Sequence, residues 1–150
     1  KETVIDAYCG TGTITLFLAQ KAHRVYGIEI VKPAIEDAKK NARDNHIKNA
    51  AFLVGDATEL MPRLCHENIR PHVIVVDPPR AGCTETVLKT FAAMRPDRIV
   101  YVSCNPATLA RDLAILAKLG YSAREIQPVD MFPQTSHVEA VTKLIRNDLL

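Results

Sequence analysis

Ile99-Val100-Tyr101-Val102-Ser103-Cys104-Asn105-Pro106 is an apolar run that stops at a serine and a cysteine. Its first four residues are β-branched or aromatic, which marks a short buried strand. Asn105 suits a helix cap and Pro106 the first helical position. A helical pattern then runs from Ala107 to Leu119. A strand leading straight into a helix is half of a parallel βαβ unit. In open α/β sheets, ligands bind outside the carboxyl ends of the strands. Cys104 occupies that edge and also the amino end of a helix, whose unpaired N–H groups and partial positive charge suit an anionic sulfur. Taken alone, Cys104 fits a reactive thiol and a buried, inert one equally well.

The same alternation extends outward in both directions. Strands are predicted near 3–7, 24–28, 51–54, 73–76, 98–102, 123–129 and 138–145, and helices near 13–22, 33–45, 57–65, 85–94 and 107–119. Pro33 starts the second helix and Gly120 ends the last. Such alternation predicts a parallel sheet with helices on both faces. No helix separates the final two strands. Met131-Phe132-Pro133-Gln134-Thr135-Ser136 joins them as a hairpin, which makes one strand antiparallel. The predicted fold class is therefore α/β: a Rossmann-like, seven-stranded, mostly parallel sheet with a terminal antiparallel hairpin, as in methyltransferases.

The chain has 150 residues, the length of one ordinary domain. Its hydrophobic content of 47% and mean hydropathy of −0.01 fit a globule with a real core. A net charge of +2 permits nucleic-acid binding without arguing for it. No run approaches a membrane span and no signal peptide is visible. Cys9, Cys65, Cys83 and Cys104 are scattered without CxxC spacing. That pattern predicts neither metal nor disulfide and favours a reducing cytoplasm. The sequence opens almost directly on a strand, as expected of a domain cut from something larger. Oligomeric state is not encoded in any pattern here.

The second informative segment is Asp6-Ala7-Tyr8-Cys9-Gly10-Thr11-Gly12, between the first strand and the first helix. Gly10 and Gly12 allow a tight turn and a close backbone approach to a ligand. The third glycine of a dinucleotide fingerprint would fall at Thr15, and its absence argues against a nicotinamide or flavin cofactor. Glu29 ends the second strand, where a carboxylate can accept from both ribose hydroxyls of a nucleoside. S-adenosylmethionine and NAD share that ribose, so Glu29 does not separate them. Asp56 ends the third strand and suits either an adenine amino group or a helix cap. Asp77-Pro78-Pro79-Arg80 ends the fourth, and its two prolines stiffen the loop. Amino-directed nucleic-acid methyltransferases carry an aromatic after such prolines; Arg80 in that place disfavours methylation of an exocyclic amine.

Four segments taken together resemble the RNA (uracil-5-)-methyltransferases. They are Asp6 to Gly12, Asp77-Pro78-Pro79-Arg80-Ala81-Gly82, Val102-Ser103-Cys104-Asn105-Pro106 and Phe132-Pro133-Gln134-Thr135-Ser136-His137-Val138-Glu139. The resemblance covers nearly the whole chain. It is greatest to bacterial 23S ribosomal-RNA members, and transfer-RNA members share the motifs. It implies S-adenosyl-L-methionine as cofactor, held by Tyr8, Glu29 and Asp77 with Asp56, and RNA as partner. It implies Cys104 as nucleophile and Glu139 as base. Many members have asparagine at the position of Thr13, so a side-chain contact there does not carry over. Members also carry an amino-terminal oligonucleotide-binding barrel and a central domain. Residues 1–150 are accordingly expected to be the catalytic domain alone, with weakened RNA affinity. An iron–sulfur cluster found in some members is not expected from these four cysteines.

The implied reaction needs both a thiol and a carboxylate. Carbon 5 of uracil is a poor nucleophile until a thiolate adds at carbon 6. A base must later remove the carbon 5 proton. His137 and Glu139 would share a strand face, with His137 the better candidate for a structural turn residue. Phe132 is either core or one wall of a uracil pocket. Arg80 and Arg111 are candidates for phosphate contact. A different methyltransferase, a nicotinamide enzyme and a non-catalytic RNA-binding module remain alternatives. Cytosine carbon 5 enzymes are disfavoured because arginine, not cysteine, follows Pro79.

Overall fold

The computed structural model describes residues 2–150. Strands β1 (Thr3–Ala7), β2 (Arg24–Glu29), β3 (Ala50–Val54), β4 (Val73–Val76) and β5 (Arg98–Ser103) alternate with helices α1 (Thr13–Ala19), α2 (Lys32–Asp44), α3 (Ala57–His66) and α4 (Glu85–Met94). Then follow α5 (Pro106–Lys118), β6 (Tyr121–Val129), β7 (Glu139–Arg146) and a short 3-10 turn. All seven strands form one sheet in the order β3-β2-β1-β4-β5-β7-β6. β1 to β5 pair in parallel, and β7 runs antiparallel between β5 and β6. No helix among the described residues is long and apolar enough to cross a membrane.

Side chains alternate across each strand, so each face receives its own layer of helices. Ile5, Ala7, Ile74, Val76, Ile99, Tyr101 and Leu144 point to the face covered by α3, α4 and α5, where Met61, Leu88, Phe91 and Leu116 complete the core. Val4, Val25, Val73 and Val75 pack on the other face with Ala19 of α1. Ile35, Ala38 and Ala42 of α2 meet Phe52 there. β4 is buried at every position, which explains its unbroken apolar sequence. Each fully buried Ile or Leu contributes about 1.5–3 kcal/mol over exposure.

The sheet order reverses at β1, because β2 and β3 lie on one side of it and β4 and β5 on the other. Ligand crevices of open α/β sheets form at such a switch point. Here the switch sets the loop after β1 beside the loop after β4. The antiparallel insertion adds a second juxtaposition. The last β5–β7 pair is Ser103 with Ala140. Cys104 and Glu139 are each the next residue of their chain segment beyond that pair.

Many boundaries shift by one to three residues from the sequence expectation, as where β6 opens at Tyr121, and two of the shifts matter. α1 stops at Ala19 instead of 22, since the N–H groups of Lys21 and Ala22 both turn back to the Leu18 carbonyl and His23 pairs with Glu2. β7 opens at Glu139, so His137 lies outside the strand and does not share a strand face with it.

Candidate active site

Tyr8, Cys9 and Gly10 follow β1 in a turn that non-glycine residues rarely adopt. Tyr8 has φ +66° and Gly10 φ +53°. The turn is held by the Cys9 N–H donating to the Ile28 carbonyl at 2.8 Å. It is held again by the Gly10 N–H donating to Glu29 Oε2 at 3.1 Å, while Oε1 accepts from Val31 N–H at 2.9 Å. Each oxygen of Glu29 therefore spends one lone pair on the backbone and keeps another for a ligand hydroxyl. Gly12 caps α1 at φ +86°, and a Cβ there would stand 3.1 Å from both Ala38 and Phe52. Its role is packing, and Gly10's is the turn.

These loops enclose a cavity of about 430 Å³. Tyr8, Glu29, Asp56 and Asp77 line it, with Ile28, Ile30, Ala57, Pro78 and Pro79 as apolar walls. A cavity of that size with apolar walls and a few convergent polar groups suits a nucleoside-sized ligand. Asp56 also caps α3, accepting from Thr58 N–H at 2.7 Å with one of its two oxygens. The Asp77 carboxyl is pushed above the ordinary range, by burial first and by the negative charge of Glu139 second. That repulsion ties the cavity to the end of β7. Burial also raises the Tyr8 hydroxyl, which stays protonated.

Cys104 is half-buried in the link between β5 and α5. Its turn is pinned on both sides. Ser103 Oγ accepts from Asn105 N–H at 3.1 Å, and Asn105 Oδ1 caps α5 through Ala107 N–H at 3.1 Å. Glu139 is half-buried across the ladder end. Cys9 and Cys83, by contrast, are buried thiols pushed up to about 12 by desolvation. Such thiols are poor nucleophiles.

Three further sequence candidates differ in their surroundings. Arg111 does not stand free for a phosphate: its guanidinium bonds Asp112 and the Ala81 and Cys83 carbonyls. Arg80 is exposed. Phe132 is not core; it is 47% exposed in the β6–β7 loop, edge-on to His137 at 6.4 Å between centroids.

Sequence patterns did not single out Asp6. It is fully buried, Thr15 Oγ1 donates to its Oδ2 at 2.5 Å, and its Oδ1 has no partner. Burial, reinforced by the charge of Asp77, raises its carboxyl from 3.8 to about 7, against the Thr15 bond. A raised acid binds its proton more tightly folded than unfolded, so its contribution to stability is full below pH 3.8 and lost as pH rises to about 7. Asp6→Asn is expected to flatten that stretch of the stability profile. Denaturant titrations of both proteins at pH 4 to 8 measure it; parallel profiles would contradict it.

A family model for tRNA (uracil-5-)-methyltransferase matches residues 1–147. The chain is 62% identical over 143 residues to an uncharacterized RNA methyltransferase of Halalkalibacterium halodurans, covering 95% of this chain and 31% of the relative. A Clostridium acetobutylicum RNA methyltransferase is 57% identical over 148 residues, with 99% and 32% covered. The chain thus spans about a third of the length of these relatives. Among solved structures, the tRNA (uracil-54, C5)-methyltransferase of Pyrococcus abyssi with S-adenosyl-L-homocysteine superposes with a TM-score of 0.85 at 38% identity, over 97% of this chain and 34% of that one. An rRNA methylase of Streptococcus thermophilus shares the fold, with a TM-score of 0.78 at 16% identity over 97% and 87% of the two chains. The sheet is that of the Rossmann-like, class I S-adenosylmethionine-dependent methyltransferases. With the nucleoside-sized cavity at its switch point and a family match running almost end to end, the chain belongs to the tRNA (uracil-5-)-methyltransferase family.

Proposed function

We propose that residues 1–150 form the catalytic domain of an enzyme that methylates carbon 5 of a uridine in RNA through a transient bond to Cys104. The observation that supports this is the β5–β7 register: its last pair, Ser103 with Ala140, leaves half-buried Cys104 and half-buried Glu139 at the same end of the ladder, and the charge of Glu139 acts on Asp77 of the nucleoside-sized cavity.

The cavity residues fit S-adenosylmethionine. Glu29 has lone pairs for the ribose diol, and Ile28, Ile30 and Pro78 offer walls for the base. When bound, this cofactor supplies a methyl group activated by a sulfonium. Cys104 Sγ bonds to carbon 6 of the uracil, and the ring's π electrons move toward carbon 5 and the carbon 4 oxygen. Carbon 5, made electron-rich in this way, is the atom that would accept that methyl group, the former methyl–sulfur pair staying with the cofactor's sulfur. Glu139 takes the proton from carbon 5, the carbon 5–carbon 6 double bond returns, and Sγ leaves with its pair. Both ring carbons are shielded inside a stacked helix, so the uridine must be unpaired or flipped out.

Methylation of transfer and ribosomal RNA substrates, followed by mass mapping of 5-methyluridine, tests the proposal and separates the two RNA classes. Methyl groups on cytosine or on an exocyclic amine would refute it. Calorimetry should detect S-adenosylhomocysteine and not NAD; the reverse would favour a nicotinamide enzyme.

A further inference from the structure

We propose that Arg111 and Asp112 of α5 are positioning residues that clamp the loop 77–83 onto the turn carrying Cys104. This role rests on Cys104 acting as proposed above and on Asp77 as a wall of the cofactor cavity. Asp112 interrupts the apolar stripe of α5 between Leu109 and Leu116, and it is fully buried. A buried carboxylate is costly unless several donors meet it. Its Oδ2 accepts from Cys83 N–H at 2.8 Å and from the Tyr101 hydroxyl at 2.6 Å. Its Oδ1 takes Arg111 Nε at 2.8 Å and Nη2 at 2.7 Å. The same Nη2 reaches the carbonyls of Ala81 at 2.9 Å and Cys83 at 3.2 Å.

One turn earlier on α5, Thr108 Oγ1 and Asn105 Nδ2 both donate to the Arg80 carbonyl, at 3.0 and 3.2 Å. A single helix end thus grips three carbonyls and one N–H of the loop. Gly82 makes this possible. At φ +75°, a Cβ there would stand 2.6 Å from both Arg111 Nη2 and Asp112 Oδ2. The loop lies closer to the charge pair than any side chain permits. Asp77 opens this loop at the cavity, and Asn105 adjoins Cys104. The clamp therefore fixes the cavity acid relative to the thiol.

Amide hydrogen exchange and calorimetry with S-adenosylhomocysteine, on Arg111→Ala and Asp112→Asn in the full chain, test this. The Gly82 and Cys83 amides should lose protection while β1 to β5 keep theirs. The dissociation constant for S-adenosylhomocysteine should rise at least about tenfold, the scale of a lost charged hydrogen bond. Methylguanidinium should restore affinity and loop protection to Arg111→Ala by refilling the guanidinium's place. If Asp112→Asn fails to fold, Arg111→Lys serves: it keeps the charge but loses the second, Nε arm of the fork on Asp112, so a partial loss is expected. Unchanged loop protection, or a loosened loop with unchanged affinity, would overturn the clamp. Methyl transfer by Cys104→Ala as fast as by wild type would instead count against the role of Cys104, leaving the affinity result to judge the clamp.

Discussion

Cys104→Ala is expected to lower methyl transfer by on the order of 10⁴-fold or more, the scale that loss of a covalent nucleophile costs other enzymes. S-adenosylhomocysteine affinity should hardly change, since Cys104 is not among the residues lining the cavity. RNA containing 5-fluorouridine sharpens the test. Fluorine in place of the carbon 5 hydrogen leaves no proton for a base to remove, so wild type should remain bonded to the RNA. The alanine variant should form no such species. Cys83 is the natural rival, but it is buried with its thiol pushed up to about 12, and it bonds through its backbone to Asp112. Equal trapping of both proteins would nevertheless transfer the role away from position 104.

Glu139→Gln should produce the opposite phenotype. Attack and methyl transfer proceed, but release needs a base, whose loss costs typically about 10² to 10⁴-fold. The variant should therefore accumulate a covalent RNA–protein species visible on a denaturing gel, with ordinary uridine and no fluorine. Its distinguishing mark is a rapid first methylation followed by stalled turnover. A glutamine variant that turns over at the wild-type rate, or is slow without adduct, would remove Glu139 from proton transfer. The charge of Glu139 also helps raise the Asp77 carboxyl, so the amide should let that carboxyl fall back toward its ordinary range. Carboxylate titration by NMR would record this.

Much of this architecture was written locally. Asn105 before Pro106 marked the start of α5, and the solid run Val73–Val76 marked a strand buried on both sides. Turn and cap chemistry is short-range, so sequence alone carries it. His137 escaped because nothing local distinguishes a strand's first residue from the loop before it; the β6–β7 pairing sets that boundary. Asp112 is a carboxylate on an apolar helix stripe, but the partners that give it a role, Cys83 and Tyr101, come from other elements. Arg111 was open to misassignment for the same reason. A charged side chain signals only that it seeks counter-charge, and here that lies next to it in the chain and folds inward. Asp6 differs again: its partner Thr15 had been weighed only as a missing glycine.

The position of β7 in the sheet has a consequence for how the enzyme comes into being. The last strand in the chain slots between β5 and β6, so β5 lacks its second partner and β6 its only one until it arrives. Chains leave the ribosome amino end first and domains fold as they emerge. A nascent polypeptide can therefore assemble its nucleotide crevice well before Glu139 reaches Cys104. On the mechanism proposed above, release of what the sulfur captures requires β7 in place, and a chain cut short before β7 would be a one-shot trap at most.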